Sequence, residues 1–325
     1  MDTRIDTVIV GGGQAGLALG YHLQRAGRRF VIVEAADRLG HSWRRRWDSL
    51  TLHTPRRDDA LPGMSFSGRS RGFPGKDEVA DYLEAYAHRF HLPVELGSAV
   101  MSVRPDLSDG FAVDTGLLEL STRQVVVATG YSEPVVPRFA SRLDPRVHQL
   151  HSDRYRNPSS LPQGRIVVVG VDRTGVEIAR DLAAGGRDVS LSVSSPSSDI
   201  RVAPPERSER TGRVARVGRV VDADTDELVL VTGERLHPDG VVWATGYRPH
   251  YPWLHLPVLD ELGAPIHYQG MTDMPGLAFL GLPWQRTRES ALLRGVGRDA
   301  EILADLLGRQ LAAASHPRFA VGHVC

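Results

Sequence analysis

Gly11-Gly12-Gly13-Gln14-Ala15-Gly16 places glycines first, third and sixth in a six-residue run. This spacing suits the holding of a diphosphate. The first glycine allows a tight turn, the third lets backbone approach a phosphate with no side chain between, and the sixth lets a helix pack close to the preceding strand. The N–H groups at the start of that helix lack intrahelical partners and carry partial positive charge. Glu34, roughly twenty residues further on, brings a carboxylate able to accept hydrogen bonds from a ribose.

The flanking residues form the elements this chemistry needs. Thr7 to Val10 is a short β-branched run, Leu17 to Ala26 reads as a helix with Gly27 as its stop, and Phe30 to Val33 is a second buried strand ended by Glu34. A second unit of the same kind starts at Arg165, with a strand Ile166–Val169, the turn Gly170-Val171-Asp172-Arg173-Thr174-Gly175, a helix from Thr174 to Ala184 and a strand Val189–Val193. Between the two units, Asp77 to Phe90 reads as an amphipathic helix whose aromatic stripe (Tyr82, Tyr86, Phe90) belongs to a core. Val94–Val103, Gly110–Thr115, Leu117–Leu120 and Val125–Gly130 read as strands, as do Val214–Val221, Glu227–Val231 and Val241–Ala244 later in the chain. A Ser-rich loop at 194–198 and an arginine-rich polar stretch at 201–213 interrupt the second unit. Thr245-Gly246-Tyr247 echoes Thr129-Gly130-Tyr131, and a last helix is expected from Asp299 to Ala314.

Composition narrows the alternatives. The 325 residues are 41% hydrophobic and 24% charged, which fits a folded globular chain and excludes disorder throughout. Lys+Arg and Asp+Glu are 39 each, so there is no overall basic field for nucleic acid, and none is expected as a partner. Cys325 is the only cysteine, which excludes an internal disulfide framework and a redox cysteine pair. The thirteen histidines show no metal-binding spacing, and no metal is expected. No signal peptide or membrane-length apolar run is read, so the expected location is cytoplasmic, with no membrane partner. No G-x-S-x-G elbow points to a serine hydrolase.

With these residues in order, the chain resembles the flavin-containing monooxygenase group, a branch of the two-dinucleotide-domain flavoproteins. The resemblance covers most of the chain. It rests on Gly11 to Gly16, Gly40-x-x-Trp43, Leu52-His53-Thr54-Pro55, His151-Ser152-x-x-Tyr155, Ala244-Thr245-Gly246-Tyr247, Gly281-Leu282-Pro283 and Gly295-Val296-Gly297-Arg298-Asp299. It implies an α/β fold in which an FAD-binding Rossmann-like domain (1–155 and 246–325) carries an inserted, smaller NAD(P)-type Rossmann-like domain (156–245). It further implies a monooxygenase that uses FAD and NADPH, forms a flavin peroxy adduct with molecular oxygen and passes one oxygen atom to a small organic substrate. By resemblance, Gly11, Gly13, Gln14, Ala15, Gly16, Glu34, Gly40, Trp43, Arg44, Thr129 and Gly130 would hold FAD, with Leu293 and Gly295 in the tail approaching the ring. Gly170, Asp172, Arg173, Thr174, Gly175, Thr245 and Gly246 would form the second nucleotide site.

The sequence departs from the family at chemically telling places. The family has glycine where Asp172 stands. A Cβ there obstructs the diphosphate, and the carboxylate repels it by about 1 kcal/mol at 4 Å in water, or about 4 at an effective dielectric of 20. Arg173 can offset part of this by gripping a phosphate. Asp172 also suits a helix cap, and Thr174-x-x-Glu177 fits a capping box. The second unit is short, and the basic residues for a 2′-phosphate reduce to Arg201 or Arg207. NADPH use is therefore in question. Three residues are candidates for catalysis. His53 and His151 can orient substrate or shuttle a proton, or serve as hydrogen-bonded structural histidines. Arg294 stands where relatives often have a small residue, and either stabilises an anionic reduced flavin or pairs with Glu289. Two alternatives stand beside the monooxygenase: an FAD oxidase or desaturase of specialised metabolism that does not use NADPH, and a non-catalytic FAD-binding protein. A homodimer is left open.

Overall fold

The computed structural model describes residues 5–106, 110–193 and 214–314. The chain opens with β1 (Ile5–Val10), α1 (Gln14–Arg25), β2 (Phe30–Val33) and the one-turn helix α2 (His41–Arg44). Then come α3 (Lys76–Arg89), β3 (Val94–Glu95), β4 (Ser102–Asp106), β5 (Gly110–Asp114), β6 (Glu119–Val127) and β7 (Glu133–Pro134). The middle holds β8 (His148–His151), β9 (Arg165–Val169), α4 (Arg173–Ala184), β10 (Asp188–Ser192), β11 (Val214–Val217) and β12 (Val220–Asp224). It continues through β13 (Glu227–Leu230), β14 (Arg235–Leu236), β15 (Gly240–Trp243) and β16 (Tyr247–Arg248), before β17 (Leu277–Phe279) and α5 (Leu293–Ala314). No helix among the described residues is long and apolar enough to cross a membrane.

The chain divides into two compact units, the first within residues 1–43, 52–132 and 249–325 and the second within 44–51 and 133–248. The functional boundaries read from the sequence fell at 155/156 and 245/246, whereas the compact units divide at 132/133 and 248/249, with 44–51 joining the second.

Unit one is built on a sheet in the order β3-β2-β1-β6-β5-β4, with β17 paired to β6. The β1–β2, β1–β6, β2–β3 and β6–β17 pairs are parallel, while β4, β5 and β6 run antiparallel. Alternation along the strands divides the core. Ile9, Ile32 and Val126 face one way, into a cluster with Leu17, Leu83 and Leu303 from α1, α3 and α5. Val8, Val10, Val31 and Val125 face the other, against Tyr251, Leu254 and Phe279. The aromatic stripe of α3 is core, as expected: Tyr82 and Tyr86 are buried, and their hydroxyls donate to the Met64 and Pro62 carbonyls, both at 2.6 Å.

Unit two holds a parallel sheet in the order β11-β10-β9-β15-β8, a meander β12-β13-β14, and a short β7–β16 pair. Ile166, Val168 and Val242 pack on α4 together with Trp47, which the 44–51 segment contributes. Val167, Val169 and Trp243 pack on the meander face with Ala223 and Leu228. Arg187 is buried in this unit. It donates to the Pro158 and Pro162 carbonyls at 2.8 and 3.0 Å and to Gln163 Oε1 at 3.0 Å.

Several expected boundaries shift. The expected strand from Val94 to Val103 is two strands with an irregular stretch between, and Val214–Val221 divides into β11 and β12. The last helix starts at Leu293, six residues before Asp299, so Gly295 and Gly297 lie inside its first turns. Each is glycine because space demands it. A Cβ on Gly295 would come within 2.3 Å of the Glu289 carbonyl oxygen, and one on Gly297 within 2.7 Å of Pro62. The expected Thr174–Glu177 capping box is absent: α4 starts at Arg173, and Asp172 is its cap. The Ser-rich loop and the arginine-rich stretch lie outside the described residues.

Candidate functional site

In unit one, β1 runs into the glycine turn and α1 leaves it. Gly11 has φ +109°, and a Cβ there would come within 2.8 Å of the Ala128 carbonyl oxygen. A Cβ on Gly16 would lie 2.0 Å from the Gly11 carbonyl oxygen, so this glycine lets α1 sit down on its own turn. Gly13 differs from both: no atom lies within 4 Å of the place its Cβ would take. It is the N-cap of α1, with φ −77°, and no side chain caps the helix there. No side chain therefore covers the backbone at the start of α1. This fits the diphosphate of a dinucleotide.

The other residues assigned to this site gather around that turn. Glu34 ends β2, and its carboxylate accepts from the Gly12 N–H at 2.6 Å and from the Ala36 N–H at 3.0 Å. Trp43 Nε1 donates to Gln14 Oε1 at 3.4 Å, and Gln14 Nε2 donates to the Ala291 carbonyl at 3.3 Å. Gly40, with φ +72°, lies so close to α3 that a Cβ would come within 2.7 Å of Ala80. The Ala128 N–H donates to the Val10 carbonyl at 2.8 Å, which sets Thr129 and Gly130 beside the turn. A Cβ on Gly281 would meet Ala15 at 2.8 Å, so the tail that leads into α5 packs on the same turn. Leu293 and Gly295 follow directly. The starts of α1 and α5 therefore meet, and their positive ends add.

Arg294 pairs with Glu289 at 2.6 Å. Nearby lies a residue the sequence did not single out. Asp59 is 2% exposed; its Oδ1 accepts from the Thr54 hydroxyl at 2.6 Å, and its Oδ2 is buried with no hydrogen-bond partner among the described residues. Burial pushes its pKa up, while the Thr54 hydrogen bond and the Arg294 charge pull it down. Only tertiary packing identifies Asp59, because its neighbours Arg57 and Asp58 make the segment read as a polar loop. Ser290 was missed for the same reason. It is fully buried, and its hydroxyl accepts from the Arg286 and Thr287 N–H groups at 3.1 and 3.0 Å, shaping the approach to α5. His53 is exposed, one residue before Thr54.

Arg44 and His151 belong to unit two. His151 is buried, and its Nε2 lies 3.0 Å from the Gly246 carbonyl, to which only an N–H can bond. Its Nδ1 lies 3.0 Å from Asp153 Oδ1 and accepts from the Asp153 N–H at 3.2 Å. Both ring nitrogens are thus engaged, which favours the structural role of the two weighed for it. The Thr245 hydroxyl donates to the Val135 carbonyl.

The second glycine turn copies the first in outline. Gly170 has φ +143°, with a Cβ position 2.0 Å from the Ala244 carbonyl oxygen, and a Cβ on Gly175 would lie 2.3 Å from the Gly170 carbonyl oxygen. Between them, Asp172 accepts from the Gly175 N–H at 3.2 Å. A carboxylate of the chain itself thus takes the donor that a phosphate would use. Arg173 is exposed and Thr174 half-buried on the first turn of α4. This arrangement fits the diphosphate of NADPH poorly. Arg201 and Arg207 lie outside the described residues.

Two glycine turns, each joining a parallel strand to a helix in its own compact unit, define a two-dinucleotide-domain flavoprotein. The family model described as pyridine nucleotide-disulphide oxidoreductase matches residues 8–267. An uncharacterized CzcO-like oxidoreductase of Geobacillus kaustophilus is 38% identical, over 93% of this chain and 98% of its own. A probable indole-3-pyruvate monooxygenase of Arabidopsis thaliana, YUCCA7, is 35% identical over 84% of this chain and 83% of its own. Among solved structures, a mutant flavin monooxygenase of Stenotrophomonas maltophilia superposes with a TM-score of 0.83 at 25% identity, covering 96% of this chain and all of the other. The chain belongs to the pyridine nucleotide-disulphide oxidoreductase family, in its flavin-containing monooxygenase-like branch, and it is an oxidoreductase. With a single cysteine, at position 325, it has no redox pair for the disulphide chemistry in the family's description.

Proposed function

We propose that the chain is an FAD-dependent monooxygenase that transfers one atom of molecular oxygen to a small organic substrate. The observation that carries this reading is the uncapped start of α1, bared at Gly13 and joined by the start of α5. When bound, the flavin would supply the redox and oxygen chemistry. The residues of the chain bind and orient it. The α1 N–H groups take the diphosphate, Glu34 takes the ribose, and Gln14 and Trp43 link this turn to the tail. Leu293 to Gly297 present the positive end of α5 to the ring, and Arg294, paired with Glu289, adds what remains of its charge there. Such charge favours an anionic reduced ring. His53, exposed on the neighbouring segment, is the candidate for substrate contact.

Oxygen transfer sends the other oxygen atom to water and consumes two electrons and two protons, so a reductant is needed. Asp172 supports a second reading, in which substrate itself reduces the flavin and the enzyme is an oxidase or desaturase. Anaerobic mixing with NADPH and NADH separates the two. The monooxygenase reading expects bleaching by a nicotinamide nucleotide at a rate that saturates, slowed in the wild type by Asp172, whereas the second reading expects bleaching by substrate and by neither nucleotide. Asp172→Gly should raise the rate of NADPH reduction at least tenfold. It should cost only a few tenths of a kcal/mol in stability, because glycine is a tolerable N-cap. An unchanged rate in the variant means that Asp172 lies away from the phosphates.

A further inference from the structure

We propose that Asp59 is a positioning residue for flavin charge: acting through Arg294 on the first turn of α5, it governs how much positive charge reaches the reduced ring. This inference rests on the flavin reading above. The loop that carries Asp59 is anchored on its C-terminal side. The Leu61 N–H donates to the Tyr82 hydroxyl at 2.8 Å, and the Tyr86 hydroxyl donates to the Pro62 carbonyl. Pro62 in turn fills the space beside Gly297 on α5. Asp59 is therefore held beside the start of α5.

Its surroundings hold its proton more tightly than water would. Oδ1 already accepts from Thr54, and the buried Oδ2 has no hydrogen-bond partner among the described residues. A lone buried carboxylate is costly, and a carboxylic acid much less so. The charged groups acting on Asp59 are Arg294 from α5, which favours ionisation, and Asp58 from its own loop, which opposes it. Arg294 also pairs with Glu289, whose side chain is 45% exposed. While Asp59 keeps its proton, Arg294 answers to one carboxylate and its remaining field is free to act on the ring. When Asp59 ionises, a second carboxylate charge acts on the same guanidinium and weakens that field.

The test is the midpoint potential of the FAD holoenzyme as a function of pH, for wild type, Asp59→Asn, Arg294→Gln and the double variant, with FAD content measured for each. In the wild type the potential should fall more steeply with pH than in Asp59→Asn. The excess should correspond to about a tenfold change in the reduction equilibrium, about 30 mV for this two-electron couple. Asp59→Asn should match the wild type at low pH and, lacking the titration, should exceed it at high pH. In the Arg294→Gln background, Asp59→Asn should change nothing further. Identical pH profiles for wild type and Asp59→Asn overturn the proposal. So does an equal effect of Asp59→Asn with and without Arg294, which marks a merely structural role. A wild-type protein that takes up no FAD overturns the underlying flavin reading and this proposal with it.

Discussion

Gly13 and Gly16 stand three residues apart in one motif and do different work. At Gly13 the place of a side chain is open, and the φ of −77° suits any residue. Gly13→Ala should therefore fold with a loss of no more than about 1 kcal/mol, as expected for a poor cap, yet weaken FAD binding tenfold or more. Gly16→Ala would drive a methyl group to 2.0 Å from the Gly11 carbonyl oxygen. It should cost about 1–3 kcal/mol or more by overpacking, and cofactor is lost along with the fold. Thermal unfolding of the two apoproteins, paired with FAD titration, checks both expectations. Equal behaviour of the two variants contradicts the division of roles. The six-residue motif was legible in the sequence because its chemistry is local, a matter of φ and of Cβ volume. Asp59, Ser290 and Arg187 were not legible, because their burial comes from segments far along the chain.

At the level of elements, α4 and α5 show how far sequence patterns reach. The sequence places the start of α5 at Asp299, beyond Gly295 and Gly297. In the fold they are helical, and their missing side chains make room for Glu289 and Pro62. α4 begins at Arg173, one residue earlier than expected; Asp172 caps it as expected, and the Thr174–Glu177 capping box does not form because Thr174 already lies inside the helix. Glu177 lies on this helix, and desolvation raises its pKa to about 7, against the pull of Arg173 and Arg180. A carboxyl with a raised folded-state pKa holds its proton more tightly folded than unfolded. Stability therefore falls as pH rises from the ordinary glutamate range to about 7, and the cost is complete above that. Glu177→Gln should match the wild type near pH 4 and be the more stable by about 1 kcal/mol near pH 8 in denaturant unfolding. Arg187 secures the loop before β9 through carbonyl and amide oxygens at 2.8–3.0 Å. Arg187→Lys keeps the charge but not the planar array of donors, and should cost about 2–3 kcal/mol by the same measurement. A loss under about 0.5 kcal/mol would show that water replaces those bonds.

For the whole molecule, the balance of 39 basic and 39 acidic residues and the single cysteine leave bound cofactor, rather than cysteine redox or a nucleic-acid field, as the source of chemistry. The two units reuse one strand–turn–helix design with one decisive difference. The first leaves its helix start bare at Gly13, and the second closes it with Asp172. The bare start of α1 carries the flavin site. The most direct test of this is the FAD content of the purified protein, read from flavin absorbance and confirmed by titrating apoprotein with FAD. The expected result is a yellow protein with close to one FAD per chain. A colourless protein that takes up no FAD on titration would contradict it.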